Sequence, residues 1–246
     1  MSSAKQHAIL CEGYDDRSFW KGWLIRLGCI DPTSGGSRPA FDVGGREVKG
    51  KGRYLFRTPA GSDLILQPFG GRSNARRTVE DYLGTKEVQK PNRLILNLDS
   101  DSEDPADGSA EDQVQGIALA LGAQGVGLGP FEIEGSFLYP VIWKCLDPEP
   151  APGLPGKQTL ERLVAAAICA AYPERGPSVA AWLRSEPIGQ LLPKSHSYSY
   201  YAKWFADHGA GDFYEAIWRD PAVAAQLERR LAATGARETV EALVRD

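Results

Sequence analysis

The sequence predicts an α/β fold: a mostly parallel sheet built by residues 1–147, then a helical region over residues 148–246. Three observations predict it. The run His7-Ala8-Ile9-Leu10-Cys11 is short, apolar and strand-like, and within a few residues it gives way through Glu12-Gly13 to a helical pattern. A second such run, Leu94-Ile95-Leu96-Asn97-Leu98, follows Pro91 and stops at Asp99-Ser100-Asp101. From residue 158 to the end the apolar spacing is helical.

Each element has its own signal. Asp15 and Asp16 open the first helix, where acids suit the positive end of the helix dipole, and Phe19, Trp20, Trp23, Leu24 and Leu27 give it an apolar face. Residues 28–61 are rich in Gly and Pro and read as a long excursion. Residues 53–57 and 63–67 read as two strands joined by a Pro-Ala-Gly-Ser turn, a hairpin inserted into the basic part of the chain. Gly70-Gly71 closes that unit, and Ser73 is the expected N-cap of a helix to about Leu83. Residues 110–122 are weakly helical and 131–143 extended. After the Pro-rich connector 148–155, helices are expected at 158–172, 178–186, 195–207, 211–219 and 221–245.

Composition narrows the function. At 246 residues and 42% apolar, the chain buries a large core without metal or disulfide. No stretch reaches the ~20 apolar residues of a membrane span, and the apolar run after Lys5 is too short for a secretory signal. Cys11, Cys29, Cys145 and Cys169 are widely spaced and exclude a zinc ribbon, so reduced thiols in a cytoplasmic protein are expected. The net charge of −4 is segregated: residues 46–93 hold eleven Lys/Arg against five acids, and a run free of basic residues from Asp99 to Asp112 follows. A locally basic face on an acidic chain suits either phosphate docking or an ordinary mixed-charge surface.

The chemistry rests on Glu12 at the carboxyl end of the first strand and Asp99 and Asp101 at the carboxyl end of a later one. Parallel strands bring such ends to one crevice. Carboxylates gathered there repel one another unless a cation neutralises them, and hard oxygen ligands suit Mg²⁺ or Mn²⁺.

The segment Ile9-Leu10-Cys11-Glu12-Gly13-Tyr14-Asp15-Asp16, followed by Leu94–Leu98 and Asp99-Ser100-Asp101, resembles the TOPRIM (Rossmann-like) domain, with its E-G-x-x-D and D-x-D strand ends. That domain is shared by topoisomerases, bacterial primases, OLD-type nucleases and small stand-alone nucleases. The resemblance covers residues 7 to about 143; where the family often has a glycine after the second aspartate, this chain has Asp104. It implies a Mg²⁺- or Mn²⁺-dependent nuclease acting on DNA or RNA. Asp99 and Asp101 would bind metal, Glu12 would ligate metal or transfer a proton, and Asp16 would support the turn or a second ion. The alternative is a non-catalytic TOPRIM-like module that binds nucleic acid or a protein within a larger defence or repair system.

Other features of the sequence stand beside this set. Arg72, Arg76 and Arg77 beside Gly70-Gly71, with Lys49 and Lys51, form a candidate nucleic-acid-binding group, against the alternative of a salt-bridged surface helix. Lys194 is a candidate for stabilising charge on a scissile phosphate, with Tyr198, Tyr200 and Tyr201 beyond it read as core aromatics. Glu161, on an otherwise apolar helix, could be a further ligand of the kind OLD-like nucleases carry; a solvated face is the preferred reading. An EF-hand fails because Asp104 and Ala110 hold its glycine and glutamate positions. A glycosyltransferase D-x-D leaves Glu12-Gly13 unexplained. Gly153-Leu-Pro-Gly156-Lys157-Gln158-Thr159 lacks P-loop spacing, which excludes ATP hydrolysis within the chain. The expected partners are therefore DNA or RNA, with room for a separate ATPase and for a homodimer, and no membrane.

Overall fold

A computed structural model describes residues 5–31, 52–84, 90–124, 127–147, 154, 156–185, 197–202 and 213–246. Its centre is a six-stranded sheet formed by β1 (Gln6–Cys11), β2 (Tyr54–Arg57), β3 (Asp63–Pro68), β4 (Arg93–Asp99), β5 (Phe131–Ile133) and β6 (Ser136–Trp143). The spatial order is β2-β3-β1-β4-β6-β5. The four inner strands run parallel, and β2 and β5 pair antiparallel at the edges. The hairpin expected as an insertion is thus part of the sheet, because β3 pairs along its whole length with β1.

Helices cover both faces: α1 (Tyr14–Arg26), α2 (Ala75–Gly84), α3 (Ser109–Ala120), α4 (Leu160–Ala171), α5 (Arg175–Ser185), α6 (Pro221–Ala233) and α7 (Ala236–Val244), with short helical stretches at 197–202 and 213–216. The strand residues alternate between two cores. Ala8, Leu10, Leu94, Leu96 and Leu98 face α2 and α3, while Ile9, Cys11 and Ile95 face α1, α4, α6 and α7. With both faces buried, the inner strands read as continuous apolar runs. The C-terminal helices share the α1 core, so they complete a layer of the same fold.

Four tryptophans anchor that layer. Trp23 stacks on Trp218 with ring centroids 5.6 Å apart, and Trp20 lies between Trp23 and Trp143 at 5.1 and 5.3 Å. Burying an indole leaves its N–H in need of an acceptor. Trp20 donates to Asn97 Oδ1 at 2.8 Å and Trp218 to the Phe19 carbonyl at 3.0 Å, while Trp143 reaches into the site described next.

Local departures from the sequence expectations have local causes. The helix expected to start from Ser73 begins as a 3₁₀ turn, Arg72–Asn74, after Gly71. The Asn74 amide donates to the carbonyls of Phe69 and Gly70, so it and not Ser73 secures the turn. The long C-terminal helix is two helices, separated at Gly235, whose φ of +74° is the left-handed value glycine adopts freely. No helix among the described residues is long and apolar enough to cross a membrane, and the four cysteines are free and buried.

Candidate active site

The chain leaves β1 toward β3 on one side, then returns past β1 to β4 on the other. The strand order therefore reverses at β1, and the crevice at the carboxyl end of such a strand is where α/β sheets hold ligands. A cavity of about 270 Å³ opens there, lined by Glu12, Gly13, Tyr14, Asp15, Asp16, Asp99, Leu160 and Glu161. Three separate stretches supply its walls: the β1–α1 turn, the end of β4 and the start of α4.

Glu12 sits where β1 ends. Its carbonyl accepts the N–H groups of Gly70 and Gly71, both at 3.1 Å, which fixes the β1–α1 turn against the β3–α2 turn. Both glycines have positive φ, 73° and 108°, which lets the two N–H groups converge on one oxygen. Side-chain atom Oε2 of Glu12 is buried and has no hydrogen-bond partner among the described residues. A buried carboxylate oxygen left so is costly unless something occupies the space before it.

Asp16 plays a different part. Its Oδ2 accepts the Gly13 N–H at 2.8 Å, capping α1, and its Oδ1 accepts the Trp143 indole N–H at 2.7 Å. Both oxygens are therefore committed to holding the turn. Burial pushes its pKa up to about 6, offset in part by those two donors and reinforced by Glu161 and Glu12.

Asp99 ends β4, and its Oδ1 accepts the Leu160 N–H at 2.9 Å, at the first turn of α4. Burial holds its carboxyl well above the usual carboxylate range. Asp16 and Glu161 add to that, and the Leu160 N–H works against it. Glu161, on the same turn of α4, is 3% exposed, so its expected place on a solvated face is overturned. Tyr201 donates to the Glu161 carbonyl from behind, and Thr159 caps the helix by accepting the Arg162 N–H at 3.4 Å. Tyr200 and Tyr201 are fully buried in the core.

Asp101, expected in the same ligand set, lies outside the cavity lining. Its carboxylate is held between Lys157, at 3.2 Å, and Arg72, at 3.5 Å. Two residues on from Asp99 the chain has already left the strand, so the D-x-D spacing does not carry both side chains to one place. Arg72 also donates to the Asp99 carbonyl, which puts it against the cavity wall. Arg76 is paired along α2 with Glu80 at 2.8 Å, and Arg77 is exposed on the same helix. Lys49, Lys51 and Lys194 lie outside the described residues.

Five acidic residues thus line one cavity: Glu12, Asp15, Asp16, Asp99 and Glu161. Among the described residues no three His, Cys, Asp or Glu side chains form a ready-made metal cage.

Comparison with protein-family models and with curated proteins finds no match. Among solved structures, the chain is similar to the crystal structure of hypothetical protein PH0156 from Pyrococcus horikoshii OT3, with a TM-score of 0.63 at 18% identity, covering 98% of this chain and 99% of that one. The likeness shows a shared α/β fold running the length of both chains.

Proposed function

We propose that the protein is a TOPRIM-like, Mg²⁺- or Mn²⁺-dependent phosphodiester hydrolase acting on DNA or RNA. The observation that carries this reading is the gathering of Glu12, Asp16, Asp99 and Glu161 around one cavity at the carboxyl end of parallel strands. Like charges crowd at a buried place, and that crowding costs stability unless a cation is bound there. The unengaged Oε2 of Glu12 is the kind of donor such an ion takes.

Glu12 and Asp99 would be the carboxylate ligands of the ion, with Glu161 lining the same cavity. Asp16, with both oxygens engaged, keeps the turn in place. With no closed cage of side chains among the described residues, an ion here would have few carboxylate ligands and would keep several waters, as Mg²⁺ commonly does. Such an ion supplies polarisation of a phosphoryl oxygen and neutralises the charge that the acids and the phosphate would otherwise set against each other. Alternatively Glu12 would accept the proton of a water whose oxygen bonds to phosphorus as the P–O ester bond breaks; the departing alkoxide would take a proton from solvent. Arg72, at the cavity wall, and Arg77, exposed on α2, supply positive charge for the phosphate backbone.

The test is cleavage of plasmid, single-stranded DNA and RNA with Mg²⁺ or Mn²⁺, beside Glu12→Gln and Asp99→Asn. Divalent-dependent cleavage that both substitutions abolish is the expected result; cleavage surviving both overturns the assignment. Salt-sensitive binding with no cleavage in any metal transfers the site to the non-catalytic module.

A further inference from the structure

Asp101 is one of two non-glycine residues with positive φ among the described residues, at +59°. That conformation is sparsely populated for residues with a Cβ, and Asp and Asn tolerate it best. What holds it there is visible on both sides. The Asp101 N–H donates to the Gln158 carbonyl at 3.0 Å, and the Gln158 N–H donates back to the Ser102 carbonyl at 2.8 Å. The stretch before α4 is thereby laid alongside the end of β4, which brings Lys157 to the Asp101 carboxylate.

Across from Lys157 stands Arg72, from the turn after Gly70-Gly71. Its guanidinium contacts Asp101 Oδ2 and the Asp99 carbonyl, and its Nε is buried with no partner among the described residues. Two cations from distant parts of the chain thus close on one carboxylate, with a guanidinium N–H still unused. All three side chains are partly open to solvent, at 30% for Arg72, 37% for Asp101 and 55% for Lys157, so the arrangement is reachable from outside. A guanidinium and an ammonium facing each other across a gap the width of a carboxylate match a tetrahedral phosphate better, because it offers more acceptor oxygens and more charge.

We propose that Arg72 and Lys157 form a phosphate-binding subsite at the wall of the carboxylate cavity, and that the Asp101 carboxylate occupies it as a built-in competitor that an incoming phosphate displaces. The subsite deepens the hydrolase reading and rests on it only for the identity of the phosphate's carrier. Asp101 then acts as a gate on anion binding and not as a metal ligand. Weakly held phosphates that cannot displace it are turned away, while a polynucleotide, with a neighbouring phosphate near the exposed Arg77 of α2, can.

The experiment measures binding of inorganic phosphate by calorimetry in EDTA at low ionic strength, so neither metal nor cleavage enters. Asp101→Asn keeps a residue that tolerates the left-handed backbone while removing the charge. It is expected to bind phosphate about tenfold more tightly than the wild type. Adding Arg72→Gln or Lys157→Gln to it removes the gain, whereas Arg57→Gln on the hairpin does not; melting curves confirm folding. Equal affinity in Asp101→Asn and the wild type overturns the proposal, as does a gain indifferent to both cations. Loss of Mn²⁺ binding in Asp101→Asn, with phosphate affinity unchanged, makes Asp101 a metal ligand and also overturns it. A phosphate result as expected from a protein that never cleaves nucleic acid sinks the hydrolase reading and keeps the subsite.

Discussion

His7 is fully buried in β1, and neither ring nitrogen has a hydrogen-bond partner among the described residues. Burial pushes its pKa from 6.5 down to about 4, Arg93 and Lys5 add to that, and Asp246 opposes it. The folded protein therefore keeps His7 neutral where the unfolded chain would protonate it. Stability is lost as pH falls from about 6.5 to about 4, by roughly 3 kcal/mol at most. His7→Leu, which fills the site without titrating, is expected to flatten that part of the stability–pH curve in denaturant titrations at pH 7, 6 and 5. Asp99 gives a second prediction. Asp99→Asn retains an acceptor for the Leu160 N–H and removes a charge crowded by Asp16 and Glu161. At pH 8 without metal it is expected to melt about 2–4 °C higher than the wild type and, on the hydrolase reading, to lose cleavage, a trade of stability against function visible in paired melting and cleavage assays. Glu12 and Asp99 were legible in the sequence because each ends an apolar strand run. Glu161 was not, since a lone acid on an apolar helix does not reveal whether it faces a cavity or water. Asp101 was misplaced because D-x-D spacing gives the order of residues, not the turn the chain makes after the strand.

At the scale of elements, α1 is the piece on which the site depends most. It carries Asp16, packs Phe19, Trp20 and Trp23 into the core, and meets the 3₁₀ turn Ile217–Arg219 at Gly22. Glycine in mid-helix is unfavourable by about 1 kcal/mol relative to alanine. Its presence is explained by contact, because a Cβ there would lie 2.5 Å from Trp218 Cδ1 and 2.9 Å from Glu215 Cα. The second of these is backbone and cannot rotate away. Gly22→Ala is therefore expected to destabilise by about 2 kcal/mol despite the better helix propensity, lowering the melting temperature by roughly 5 °C. The elements themselves were largely readable: β1, α1, β4 and α4 stand where apolar spacing puts them. The hairpin's role was not. Two strands and a turn look alike from the sequence whether they project from a sheet or enter it, and only the pairing of β3 with β1 decides.

Across the whole molecule, the residues after 147 bury the outer side of α1 and one face of the sheet. Phe213, Ile217, Trp218, Val223, Leu227 and Leu231 belong to the same core as Ile9, Phe19 and Trp23. A fragment of residues 1–147 would leave that apolar face to water and is expected to be unfolded or aggregated by circular dichroism and sedimentation. This long-range packing is the least legible level, since amphipathic helices advertise that they dock but not on what.

The acid-lined cavity inherits a timing from this arrangement. Its walls leave the ribosome in instalments: the first glutamate early, the aspartate of β4 midway, and the last wall only with α4. Until α4 is made, a nascent chain presents acids but no enclosed chamber, so no ion or ligand can be taken up there before that helix is in place.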